Sequence, residues 1–62
     1  MKMRGFLEAI GREMERDVEP QVRTLERAFI DNVQMLAEVT DEQFEKMRIP
    51  IGLVMMIRKR LE

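Results

Sequence analysis

Two prolines set the scale of what this chain can build. Pro20 and Pro50 divide a sequence of 62 residues. Proline has no backbone N–H to donate and disfavours helical backbone at the residue before it. A helix must therefore end near Glu19 and another near Ile49. Proline also suits the opening turn of a helix, so each position closes one element and starts the next. Short helices are what remains, because β-branched residues are scattered and no stretch alternates apolar with polar over more than a few positions.

Within the first segment Met3, Leu7, Ile10 and Met14 recur at spacings of four, three and four, with Phe6 beside them. That pattern predicts one apolar stripe on a helix over Lys2 to Asp17, in which Gly5 and Gly11 each cost about 1 kcal/mol of helix propensity. From Pro20 a second helix presents Val22, Leu25 and Phe29 inward, and Glu19 can pair with Arg23. Asp31 or Asn32 caps a short third helix that carries Val33, Met35 and Leu36. Thr40 and Gln43 then form a capping box. Asp41 and Glu42 lie at the positive end of the dipole, and Val39 and Phe44 form the hydrophobic staple. A fifth helix runs from Pro50 or Ile51 to about Leu61. The expected fold is all-α: one domain over 1–62, a small bundle of four or five short helices, with 1–17 as an extended first helix or a variant N-terminal part. Its core should centre on Phe29, Leu36, Phe44, Ile49, Ile57 and Leu61. Met3, Met14, Met35, Met47 and Met56 should fill gaps in it, as flexible thioethers do.

Several function classes are closed by what is missing. There is no cysteine and no histidine, so disulfides, thiolate metal sites, the commonest metal ligand and the commonest general base are all absent. Carboxylates are plentiful but sit on polar faces, where no desolvated pocket separates their pKa values for acid–base work. An enzyme is not expected, and neither is a cofactor or a metal. The net charge of −1 argues against a purely electrostatic nucleic-acid binder. The longest apolar stretch, Ile49 to Ile57, contains Pro50 and Gly52 and is far too short to span a membrane. The N-terminus turns acidic within eight residues, without a signal-peptide pattern. An intracellular domain, excised from a longer chain, is the expectation.

From Phe29 onward the order of caps resembles the sterile alpha motif, a five-helix interaction domain. The residues that carry the resemblance are Phe29, Asn32-Val33, Leu36, the run Val39-Thr40-Asp41-Glu42-Gln43-Phe44, Met47, Ile49-Pro50, Gly52, Ile57 and Leu61. In that family an aromatic residue ends the second helix, a Thr-x-Glu-x-hydrophobic stretch caps the fourth, and a glycine opens a long fifth. The N-terminal half departs from the pattern, with a longer separation between Ile10 and Phe29. Val54 stands where the family often has a basic residue. The resemblance implies a protein–protein interaction module without catalytic residues.

The residues suited to such a role fall in two groups. Asp31, Glu38, Asp41, Glu42 and Glu45 concentrate acid in the middle of the chain, and Arg58-Lys59-Arg60 make the end of the fifth helix basic. Capping and the helix dipole account for much of this placement. Two complementary faces on one small body would also orient association, either with another copy or with another helical domain. Leu53 and Met55 add apolar contact at the start of that helix. Met55 falls opposite the inner side formed by Leu53, Val54, Met56, Ile57 and Leu61. The alternative is RNA or DNA binding through Lys46, Arg48, Arg58, Lys59 and Arg60. Ile49-Pro50-Ile51-Gly52 before a basic helix is similar to a helix-hairpin-helix. There, however, Pro50 replaces a glycine whose N–H would face phosphate. Neither tyrosine nor tryptophan is present for stacking on bases.

Overall fold

A computed structural model describes residues 2–62. Five helices follow in the order α1 (Met3–Met14), α2 (Glu19–Arg27), α3 (Val33–Glu38), α4 (Asp41–Lys46) and α5 (Ile51–Leu61). No strand occurs among the described residues, and the single bridge pairs Lys2 with Asn32. That bridge moors the start of α1 to the α2–α3 connection, where the Met3 amide donates to the Asp31 carbonyl at 3.3 Å. The radius of gyration is 10.2 Å, against about 11 Å for a compact chain of this length. The small all-α bundle expected from the sequence is the observed fold.

α1 is the helix the others are built around; it packs against α2, α3 and α5, while α4 packs against α5. Its stripe is buried as the spacing requires, with Met3, Leu7 and Ile10 fully enclosed and Met14 half-buried at the margin. Val22 and Leu25 of α2, Leu36 of α3, Phe44 of α4 and Leu53 and Ile57 of α5 complete the core, joined by Val18, Val39 and Ile49 from the connections.

Thr40 and Gln43 make the full capping box. The Gln43 amide donates to Thr40 Oγ1 at 3.1 Å, and the Thr40 amide donates to Gln43 Oε1 at 2.9 Å. Asn32 caps α3 through its Oδ1, which accepts from the Met35 amide at 2.8 Å. α5 has no side-chain cap and starts one residue after Pro50.

α1 ends at Met14, earlier than the Asp17 expected from the stripe. Glu15 turns into the left-handed region at φ 56°. The Arg16 amide then bonds back to the Gly11 carbonyl at 2.9 Å, which closes the helix. Gly11 makes this reversal possible. A Cβ built there would stand 2.9 Å from the Arg16 carbonyl oxygen and 3.1 Å from Val18 Cγ2. Gly5 and Gly52 meet nothing within 4 Å. The glycines therefore have opposite meanings. Gly5→Ala should raise stability by about 1 kcal/mol through helix propensity. Gly11→Ala should lower it by about 1 kcal/mol, since an overpacking cost of about 1–3 kcal/mol outweighs the same gain in propensity. Urea midpoints of the two variants moving in the same direction would contradict this placement.

The same device closes α2 and α4, again without glycine. Phe29 (φ 61°) and Arg48 (φ 60°) occupy the left-handed position. After each of them an apolar residue folds back onto the helix. The Ile30 amide donates to the Leu25 carbonyl and the Ile49 amide to the Phe44 carbonyl, both at 3.0 Å. These are Schellman closures, in which the residue after the left-handed one packs on the last turn. The consequence corrects the expected core. α2 stops at Arg27, so the spacing that placed Phe29 inward no longer applies. Ile30 takes the inner place, and Phe29 is 83% exposed. Leu61 is likewise half-buried at the edge of the core, and Met35 is 39% exposed on α3. Met47 and Met56 are half-buried against the core.

On the outer side Arg4 ties α1 to both ends of α2. It donates to Glu19 at 2.6 Å and to Glu26 at 3.0 Å, while Arg23 meets Glu19 at 3.1 Å from the next turn. The paired guanidinium groups of Arg4 and then Arg23 hold the Glu19 carboxyl below its ordinary value of 4.5. Glu19 and then Glu26 in turn push the Arg4 guanidinium further up. The cluster is solvated, so its worth to stability is small.

Candidate interaction surface on helices α4 and α5

α4 and α5 meet at the Pro50 turn and diverge enough to leave an open groove of about 870 Å³ between them. Its apolar lining comes from Phe44, Ile49, Ile51, Val54 and Met55. Two of these side chains face water. Ile51 is 80% exposed and Met55 is 66% exposed. They lie four residues apart on α5 and so share one face of the helix. Leu53 and Ile57, on the opposite face, are buried in the core. Met55 thus stands where the helical wheel placed it. Leu53 also lies on the inner side of that wheel, and at 3% exposure it presents none of the contact surface expected of it. Ile51 supplies the apolar contact at the head of the helix instead. The sequence does carry a sign of it, since Ile51 precedes Met55 by four.

Charge rims the groove. Asp41 and Glu45 line it from α4, and Arg48 lines it from the α4–α5 turn; Arg58, Lys59 and Glu62 line it at the other end of α5. The two groups that sequence reasoning assigned to separate faces meet here within one molecule. The Arg58 guanidinium donates to Asp41 Oδ1 at 2.8 Å and to the Val39 carbonyl at 2.7 Å. It also lies 5.3 Å from the centre of the Phe44 ring. Arg58 is therefore a strut between α5 and the α3–α4 junction, with its side chain 37% exposed. Its expected place on a free basic edge is corrected accordingly. The cause is geometric: the capping box brings Asp41 and the Val39 carbonyl to the same end of α4, beside the last turns of α5.

Arg60 is engaged too, through Glu13 of α1. Of the cluster Arg58-Lys59-Arg60, Lys59 makes no ion pair among the described residues. Glu42 pairs with Lys46 along α4 at 3.5 Å. Asp31, Glu38 and Glu45 are exposed and make no ion pair among the described residues.

Phe29 is a further large apolar side chain in water. It lies on the corner between α2 and α3, outside the residues that line the groove. Periodicity hid it, because an extrapolated helix turns it inward. The adjacent pair Phe29-Ile30 was the available signal, since a closing turn can bury only one of two neighbours.

No helix among the described residues is long and apolar enough to cross a membrane. No family model matches the chain, and neither a curated protein nor a solved structure matches it.

Proposed function

We propose that this chain is a protein-association module that self-associates through the α4–α5 groove. One observation carries the reading. Ile51 and Met55 expose large apolar side chains on one face of α5, beside a groove with an apolar lining, in a domain whose core already buries Leu53 and Ile57. Contiguous apolar surface rimmed by charge is the usual mark of a protein contact site. The resemblance of residues 29–61 to the sterile alpha motif points the same way, toward interaction without chemistry. The acidic residues Asp31, Glu38, Glu42 and Glu45 and the basic Lys59 supply steering and orientation, and the apolar groove supplies affinity.

The nucleic-acid reading loses support from the same geometry. Arg58 and Arg60 are committed to carboxylates of their own chain, so fewer cations remain to neutralise phosphates.

Sedimentation velocity from micromolar to millimolar concentration tests the proposal. The wild type should sediment as a rising average mass, whereas Ile51→Glu and Met55→Glu should stay monomeric with melting temperatures close to wild type, because both positions are exposed. Unchanged association of the two folded variants would sink the reading.

A further inference from the structure

We infer that Met55 is an oxidation switch: a peroxide converts its thioether to the sulfoxide and so releases the association, while the fold stays intact. The inference rests on the proposed groove and adds the chemistry that regulates it. The sequence leaves that chemistry to methionine. It has seven methionines and no cysteine, tryptophan, tyrosine or histidine, so the thioether is the one side chain here that a mild two-electron oxidant attacks readily. Burial then grades the described methionines. Met55 is 66% exposed and Met35 is 39% exposed, whereas Met3 is fully enclosed. Met14, Met47 and Met56 are half-buried against the core. The sulfur must be reached by the peroxide and by the water that relays its proton, so susceptibility follows exposure.

The same residue is the one placed for a consequence. Met55 lines the groove with Ile51 and Val54, while Met35 lies on α3 outside that lining. In the reaction the sulfur attacks one oxygen of hydrogen peroxide; an S–O bond forms and the O–O bond breaks. The displaced hydroxide takes the proton left on the transferred oxygen and departs as water. Sulfur loses two electrons and the peroxide gains them. An apolar, polarisable sulfur becomes a polar, chiral S=O group. In the free chain that group is hydrated, because the side chain already faces water, and no core residue is disturbed. Covering the groove then requires stripping water from the S=O oxygen, which weakens association by about tenfold or more. Sulfoxide at Met35 has no such effect, since it lies outside the contact.

Limited hydrogen peroxide on the wild type tests this, stopped while most chains carry at most one added oxygen. Peptide mass mapping should find sulfoxide at Met55 ahead of Met35, and at both ahead of Met3. Size exclusion of the partly oxidised protein should enrich Met55 sulfoxide in the monomer fraction and spread Met35 sulfoxide evenly, with unchanged far-ultraviolet circular dichroism. Methionine sulfoxide reductases A and B together should restore association, since each enzyme acts on one epimer. In Met55→Leu the dissociation constant, whatever its starting value, should be the same before and after the peroxide dose that shifts the wild type. Met55 sulfoxide spread evenly between monomer and associated fractions would overturn the inference. So would a Met55→Leu variant that loses association to peroxide as the wild type does, or oxidation of Met35 ahead of Met55. Untreated protein that never associates would remove the groove reading and the switch with it, whereas associating protein indifferent to Met55 sulfoxide would remove the switch alone.

Discussion

Replacing Phe44 by alanine should unfold the domain or leave it close to its midpoint at room temperature. Phe44 is the largest fully buried side chain. Its amide donates to the carbonyl of the capping residue Thr40 at 3.0 Å, and its carbonyl accepts the Ile49 amide that terminates the same helix. Both ends of a six-residue helix thus converge on one residue. Truncating a buried phenylalanine costs about 3–5 kcal/mol, and a chain of this length has about 3–9 kcal/mol in all. Loss of the ring also removes the surface under Arg58. Circular dichroism on heating should show a transition displaced far downward or absent. A cooperative transition within a few degrees of wild type would place the centre of the core elsewhere.

Arg58→Glu should lower stability by about 2–3 kcal/mol, while Lys59→Glu next to it should stay within about 0.5 kcal/mol of wild type. The contrast follows from what each touches. Arg58 donates to a carbonyl that ends α3 and to a carboxylate that begins α4. A hydrogen bond from a charged group to a buried-side acceptor contributes about 1.5–3 kcal/mol, and the ring contact adds about 0.5–1 kcal/mol. The exposed Asp41 partner adds little by itself. Glutamate in place of Arg58 leaves the Val39 carbonyl without its donor and sets one anion against another. Guanidinium denaturation of the two variants measures the difference. Equal stability would mean that Arg58 is a free surface cation, as adjacency in sequence alone had suggested.

The parts of the fold legible in the sequence are those governed by local chemistry. The Thr40–Gln43 box, the Asn32 cap, the break before Pro50 and the stripe Met3-Leu7-Ile10 depend on neighbours within one or two turns. Each occurs where the residues place it. What escaped depends on chain reversal. Left-handed closure at Glu15, Phe29 and Arg48 uses residues that show no preference for it, so residue type at the closing position does not mark where α1 or α2 stops. From that follow the inverted places of Phe29 and Ile30 and the unexpected need for Gly11. The candidate site was legible in part. Met55 follows from the helical wheel. Leu53 belongs to the inner side of that wheel, so its expected role as contact surface fails on burial, and Ile51 was missed. Arg58 was read as free because its partners, Val39 and Asp41, are distant in sequence and near only in the folded chain.

The proposed association requires that α4 and α5 form a docking groove for another copy. Amide chemical shifts of the wild type, followed by proton–nitrogen correlation spectra from micromolar to millimolar concentration, test it most directly. Changes should cluster at Arg48, Ile51, Val54, Met55 and Lys59, and the outer α1–α2 side around Arg4 and Glu19 should stay still. Shifts confined to that outer side, or spectra that do not change with concentration, would rule out docking at the α4–α5 groove.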